Sequence, residues 1–490
     1  MKKVIALILT AAVFASLAAG CAGSASSGAT EATKVVPTIE VVEGQPIEQL
    51  DNVAVYIPVS GEANALGELP QFTIREGTSV KCRSKEARYG QVTYVLEKTD
   101  AASYITYLQT LEDAGWEQYS NNIMEGTNLF ATYHKDGASL YCYYISAKNT
   151  TYIVSAPDQN LEVLASDNQY ESRCTPLLTQ VKLLCEDYSG GMGYVIRLGD
   201  GRFIVVDGGY NEQDFYHAKK FYALMQEQNV LDKVTIAAWI VTHPHADHLG
   251  TAADFLRTYT AEDVDIQHMI FNFPVDEDLA IKEPEALTYD HTSYMPTFMM
   301  ALEQLWPQLP VTVCHTGQVY HFADATIEIL HTVEDFYPDS IRNFSRTAIN
   351  ASSVVFRVDL AGQKIMFLAD SSEDCSKDLV KMWGNYLKSD IMQAAHHGLI
   401  GGTVSLYSAI DPTVAMVPMH DSTSRLKYTL SFEATAWLWN NGSSNIKEII
   451  VSGFQQRTLE LPYVPSEDTE YFSNASIDPW AGMESEYKKP

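Results

Sequence analysis

Basic side chains are scarce in this 490-residue chain: 33 Lys and Arg stand against 62 Asp and Glu, a formal net charge of −29. So acidic a surface repels nucleic acid and anionic membrane, which disfavours a DNA or RNA substrate unless a bound cation supplies a local positive field. Paired cysteine spacing is missing too. Beyond Cys21 the cysteines at 82, 142, 174, 185, 314 and 375 form no CxxC, so a thiolate zinc site is disfavoured. Cys174 and Cys185 are near enough in sequence to bridge, but scattered buried thiols are the preferred reading. The apolar run Val4–Ala19 is too short for an ordinary transmembrane span. The chain does hold 46% hydrophobic and 11% aromatic residues, which exclude global disorder, and its length suffices for two or three domains.

Met1-Lys2-Lys3 ahead of that run makes residues 1–20 a targeting segment. Ala18-Ala19-Gly20 before Cys21 resembles the lipobox of bacterial lipoproteins. The resemblance implies cleavage before Cys21, diacylation of its sulfur, and an extracytoplasmic chain anchored to the bacterial membrane. Without lipidation the chain would be secreted. Residues 21–51 read as a flexible tether, rich in Ser, Ala, Gly and Thr at its start.

Residues 52–157 read as a small α+β domain. Its expected elements are a first strand at Val53–Pro58, a strand at Gln91–Leu96, and an Asp100-capped helix carrying Tyr104, Tyr107, Leu108 and Leu111. Four further strands follow, two of them joined at Asp136-Gly137. His134 reads as a half-exposed strand histidine. The tyrosines at 133, 141, 143 and 144 read as a packed sheet face before a carbohydrate platform. After a polar connection at 158–176, strands alternate with helices over 177–465, and 466–490 form a tail. A hairpin ends in Asp207-Gly208-Gly209. The next helix, 211–228, is expected to bury Phe215, Ala218, Tyr222 and Met225. Another opens at Pro296 with Phe298, Leu302 and Leu305 inward, and a last one is capped by Ser431. The closing strands are read at 413–417 and 449–451.

The chemistry concentrates in Thr242-His243-Pro244-His245-Ala246-Asp247-His248-Leu249-Gly250. Three imidazoles and a carboxylate follow directly on the buried strand Ile236–Val241, in a loop that runs to a helix near Gly250. Such a cluster suits zinc, manganese or iron, whereas a merely solvated His-rich loop gains nothing structural from it. Asp370 ends a later strand, and His396-His397-Gly398 ends another.

This order of motifs resembles the metallo-β-lactamase superfamily over residues 177–465. His-x-His-x-Asp-His, the upstream Asp-Gly-Gly turn, the strand-end Asp and the strand-end His carry the resemblance. The later part is similar to the ComEC-type branch, which includes competence-protein nuclease domains and choline-phosphate esterases of Gram-positive cell walls. That branch has Gly-Asp and His-His-Gly-Ser where this chain has Ala369-Asp370 and His396-His397-Gly398-Leu399, so a phosphate-contacting serine is absent.

The resemblance implies an α/β fold, an αββα sandwich, and two divalent cations, zinc first, with manganese or iron as alternatives. His243 and His245 would hold the first cation, Asp247 and His248 the second, and Asp370 would bridge. One of His396 and His397 would complete the second site while the other faces substrate; spacing does not choose between them. Asp207 would orient the metal loop beside Thr242. Asp247 could take a proton, and His420 is a candidate acid or oxyanion contact. His268, His291, His315, His321 and His331 lie where many relatives place a further ligand, each reading as structural.

The implied activity is hydrolysis of a phosphoester, small or from the cell envelope. Lactone or amide hydrolysis is the alternative within the enzyme class, and a non-catalytic binding lipoprotein the alternative outside it. The sequence assigns no oligomeric state.

Overall fold

The computed structural model describes residues 69–70, 72, 79–86, 91–156, 161–183, 191–274, 294–337, 348–419, 428–440 and 445–466. Cys21, the expected strand at Val53–Pro58, Cys185, His291 and His420 lie outside the described residues. Among the described residues no helix is long and apolar enough to cross a membrane. The chain divides into two compact units near Gln159.

In the first unit a six-stranded sheet runs in the order Ser79–Glu86, Gln91–Glu97, Thr150–Ala156, Ala138–Ile145, Asn128–Lys135, Glu117–Met124. The helix Ala101–Asp113 starts where Asp100 accepts a hydrogen bond from Ser103 N at 2.8 Å, and it buries Tyr104, Tyr107, Leu108 and Leu111 at helical spacing. Tyr133, Tyr141, Tyr143 and Tyr144 are buried, which makes them packing rather than an open aromatic platform. His134 is half-buried on its strand, 3.8 Å from Glu117.

The second unit has helices outside two sheets, an αββα arrangement. One sheet has the order Val311–Val313, Met269–Phe271, Thr235–Ile240, Phe203–Asp207, Gly193–Arg197, Leu177–Gln180, Arg457–Glu460, with Asp265–Ile266 also pairing on Thr235–Ile240. The other runs Val319–Phe322, Ala325–His331, Val355–Leu360, Gln363–Phe367, Ile391–Gln393, Val414–Val417, Glu448–Val451. Ile204, Val206, Ala238 and Ile240 of the first pack with Ile329, Phe356, Phe367 and Met416 of the second in one buried cluster. Trp239 points to the opposite face, where its ring meets Phe221 and Phe255 of the outer helices at 6.4 and 5.0 Å. Burying each such large side chain contributes roughly 1.5–3 kcal/mol. Helix Glu373–Trp383 is tied to the second sheet by Trp383 Nε1 donating to Leu330 O.

Several local expectations change. The metal-motif helix spans Ala246–Thr258, starting at Ala246 rather than near Gly250, so Asp247 and His248 sit in its first turn. The helix expected over 211–228 is regular only from Tyr216. It buries His217, Ala218, Phe221, Leu224 and Met225, leaving Phe215 and Tyr222 half-buried. After Met295–Met300 comes a π-helical turn, Ala301–Leu305, which turns Leu305 to solvent. Ser431 does not cap the helix Glu433–Trp439; its hydroxyl donates to Tyr428 O. The strand Arg457–Glu460 follows the two expected to close the fold.

Candidate metal centre

The parallel strands set the site. Phe203–Asp207 and Thr235–Ile240 pair in parallel with Val206 opposite Ile240, so Asp207 and Thr242–His248 leave the same sheet edge. In the second sheet Gln363–Phe367, Ile391–Gln393 and Val414–Val417 are parallel neighbours, which brings Asp370, His396-His397 and Pro418 to one edge. Val354 N donates to Thr242 O at 2.9 Å and joins the two edges there. Gln393 stitches its own edge: its Oε1 accepts from Leu368 N and Ala369 N, and its Nε2 donates to Ala369 O and Ala394 O.

The backbone at these strand ends is strained. Asp207, Ala369, His396 and His397 all have left-handed φ, 52°, 50°, 48° and 55°. Each costs a non-glycine residue roughly 1–2 kcal/mol, so the fold holds these side chains at an energetic cost. The helix at Ala246 also needs close approach. A Cβ on Gly250 would stand 2.4 Å from Asn211 N, so glycine there lets the first turn seat against 209–211.

The expected residues meet in two groups. Asp247, His248, Asp370 and His397 bring one ligand atom each within 4.8 Å of one another, and so do His243, His245 and Asp370. Asp370 belongs to both. His397 therefore joins the Asp247 group, and His396 stands beside it: His396 Nε2 lies 3.7 Å from Asp370 Oδ2 and 3.0 Å from Asn350 Nδ2.

Hydrogen bonds on the outer ring nitrogens decide where the lone pairs point. His248 Nδ1 is 2.7 Å from Asp207 Oδ2, and His397 Nδ1 is 2.6 Å from Pro418 O. Both partners only accept, so each Nδ1 carries a proton and each Nε2 turns inward. The two Nε2 atoms then face each other at 3.3 Å, with Asp247 Oδ2 and Asp370 Oδ2 at 3.2 and 3.3 Å from that of His397. His243 repeats the pattern. Its Nδ1 meets Thr242 Oγ1, whose own proton goes to Asp207, and its Nε2 faces His245 Nδ1 at 3.1 Å. Facing lone pairs beside buried carboxylates fit a divalent cation in each group. Asp370 Oδ1 agrees: it is buried 3.2 Å from His248 Nε2 yet accepts no well-directed hydrogen bond.

Charge supports the same picture. Burial pulls the His397 imidazolium down, but Asp370 and Asp247 outweigh it and raise its pKa from 6.5 to about 9. His248 is raised likewise, burial being overcome by Asp370, Asp247 and Asp207. Burial pushes the Asp370 and Asp247 carboxyls up, and His248 and His397 more than reverse it, holding both below the ordinary range. In His243 burial and the neighbouring His248 and His245 together push the pKa down.

A pH dependence follows for the metal-free chain. The His397 proton contributes stability that is complete below the ordinary 6.5 and is lost as pH rises through about 9. The carboxylates contribute stability lost on the acid side, as pH falls below their ordinary 3.8. A cation must displace the His397 proton, so zinc affinity is expected to climb between pH 6 and 9 and flatten above, with net proton release at pH 7. Calorimetric zinc titration in buffers of different ionisation enthalpy checks this; an affinity level from pH 6 to 8 would contradict it.

The interval histidines among the described residues, His268, His315, His321 and His331, stay out of both groups. His268 lies against the Phe322 ring, His315 pairs with Glu334 at 3.2 Å, and His321 bonds Thr326 Oγ1. His331 is buried 3.9 Å from Asp378. Thr242 donates to Asp207 through both its N–H and its Oγ1, behind the ligand loop. Three contributors lie outside the sequence motifs: Asn350, Gln393 and the Pro418 carbonyl. A glutamine inside the apolar Ile391–Ala395 run, and the polar Asn350-Ala351-Ser352-Ser353 ahead of a strand, were the available signals.

Residues 189–278 match the family described as the Metallo-beta-lactamase superfamily, a stretch that holds Asp207 and all of Thr242–Gly250. The chain thus carries a domain of that superfamily. No curated protein matches. Among solved structures it is similar to the metallo-beta-lactamase fold protein YhfI from Bacillus subtilis, at 12% identity and TM-score 0.32, over 58% of this chain and 99% of that one. It is also similar to CmlA, a diiron beta-hydroxylase from Streptomyces venezuelae, at 12% identity and TM-score 0.34, over 59% of this chain and 55% of CmlA. A flavo di-iron protein from Thermotoga maritima aligns at 13% identity and TM-score 0.23, over 69% of this chain and 57% of that one. The chain spans only about half the length of these last two.

Proposed function

We propose that the chain is a hydrolase using two divalent cations, zinc first, to cleave phosphoesters, small or from the cell envelope, while anchored outside the cell through Cys21. The observation that carries the reading is Asp370, one carboxylate common to two groups of buried donors. Two cations held by these residues would supply hydroxide at neutral pH and Lewis-acid stabilisation of developing negative charge on oxygen.

The chain's own residues do the rest. Asp207 and Pro418 O hold the imidazole tautomers. Asp247 sits in the first turn of its helix, whose N-terminus favours the anionic, ligating form of its carboxylate. His396, outside both groups but beside Asp370, is the histidine left to face substrate.

Lactone or amide hydrolysis is the second reading. One feature favours it: Leu399-Ile400-Gly401-Gly402, next to His396, offers no cationic side chain for a phosphate. Turnover of bis-p-nitrophenyl phosphate, an acyl lactone and a cephalosporin by the zinc-loaded protein separates these. The diester is expected to turn over fastest. Lactone turnover without diester turnover would replace the first reading with the second, and two bound metals with no turnover would point to a binding protein.

A further inference from the structure

The two donor groups are unequal. One has four side chains, Asp247, His248, Asp370 and His397; the other has three, His243, His245 and Asp370. Across His396 from the shared carboxylate stands a side chain whose chemistry is unspent. Asn350 lies in the single turn Ala348–Ala351, which the Val354 N to Thr242 O bond draws against the histidine loop. It is 2% exposed, and its Oδ1 is buried without a hydrogen bond. A buried amide oxygen left unpaired is destabilising, so its retention needs a partner.

The orientation of the amide is set by its neighbour. His396 Nδ1 bonds the Ile400 carbonyl and so carries the proton, leaving His396 Nε2 to accept from Asn350 Nδ2 at 3.0 Å. The nitrogen end is thereby fixed on His396 and the oxygen end is turned elsewhere. His396 Nε2 is in turn 3.7 Å from Asp370 Oδ2, and that oxygen is 4.0 Å from His243 Nε2. A carboxamide oxygen is a neutral hard donor that suits the same metals as imidazole and carboxylate.

We propose that Asn350 Oδ1 is the further donor to the cation held by His243, His245 and Asp370. This rests on the two-metal reading. It makes the centre asymmetric: the Asp247 site, with two carboxylates, fills first and tightly, and the Asn350 site, with one shared carboxylate and a neutral amide, fills second and weakly. His396 then aims Asn350 by accepting its amide proton.

Zinc titration of the metal-free full chain against a chromophoric chelator, with cobalt(II) absorption as a second readout, tests this. The unsubstituted protein is expected to bind two equivalents in a tight and a weak step. Asn350→Leu should weaken only the weak step, by about tenfold or more, and Asn350→Asp should tighten that step by a similar factor. The tight step, unchanged in both variants, reports that they fold. Weakening of both steps alike in Asn350→Leu, or of neither, overturns the assignment of Asn350. A single step of one equivalent in the unsubstituted protein overturns the two-metal reading instead.

Discussion

Asp370→Ala is expected to strip both cations from the protein at once and to lower hydrolytic turnover by about a thousandfold or more. The expectation comes from position. Asp370 is the one side chain common to both donor groups, with Oδ1 3.2 Å from His248 Nε2 and Oδ2 3.3 Å from His397 Nε2. Removing it leaves one group with Asp247 as its only anion and the other with no anion at all. Asp247→Ala is the control, since Asp247 belongs to a single group. Metal per chain after gel filtration, read by plasma emission, should fall from near two to near zero in Asp370→Ala and only partly in Asp247→Ala. Two metals retained in Asp370→Ala would remove the bridging role. Asp370→Asn separates metal loss from folding: it keeps the side-chain shape and removes the charge, so it too should lose metal while unfolding later than the alanine variant.

Why these residues were legible, and others were not, has a physical basis. His243, His245, Asp247 and His248 fall within six positions after an apolar strand, and Asp370 and His397 each follow closely on a strand, so local pattern sufficed. The choice between His396 and His397 was not legible. Alternation along a strand would separate them, but both have left-handed φ, and the direction of each depends on Ile400 O and Pro418 O. Asn350 enters the site only because Val354 bonds Thr242, more than a hundred residues earlier, so no window of sequence contains the contact. Helical faces slipped where the helix itself is irregular. A π turn inserts a residue and rotates Leu305 outward, and the left-handed Phe215 breaks the phase ahead of Tyr216. The short strands Asp265–Ile266, Met269–Phe271 and Val311–Val313 hold too few residues to show a period of two, and pairing alone makes them strands.

Asp207 should give the second large effect without touching either cation. Its buried carboxylate accepts from Thr242 N at 2.8 Å, from Thr242 Oγ1 at 2.8 Å, and from His248 Nδ1 at 2.7 Å. Thr242 Oγ1 also meets His243 Nδ1 at 3.1 Å, so one carboxylate orients a histidine in each group. Asp207→Ala leaves these donors unpaired in the interior, at about 1–3 kcal/mol apiece before relaxation, and adds the cost of alanine at a φ of 52°. Both zinc affinity, by about 10- to 100-fold, and thermal stability should fall. Asp207→Asn is the sharper test. Asparagine tolerates left-handed φ as aspartate does, which spares the backbone. Its carboxamide has one acceptor where three donors converge, and its NH2 set against His248 Nδ1 would drive the ring to its other tautomer. Nε2 would then carry the proton and lose its lone pair toward the Asp247 group. The asparagine variant should therefore melt closer to the unsubstituted protein than the alanine variant does, yet lose zinc affinity nearly as far. If it keeps full affinity, the Asp207–His248 bond is structural support only, and the tautomer argument for the whole centre falls with it.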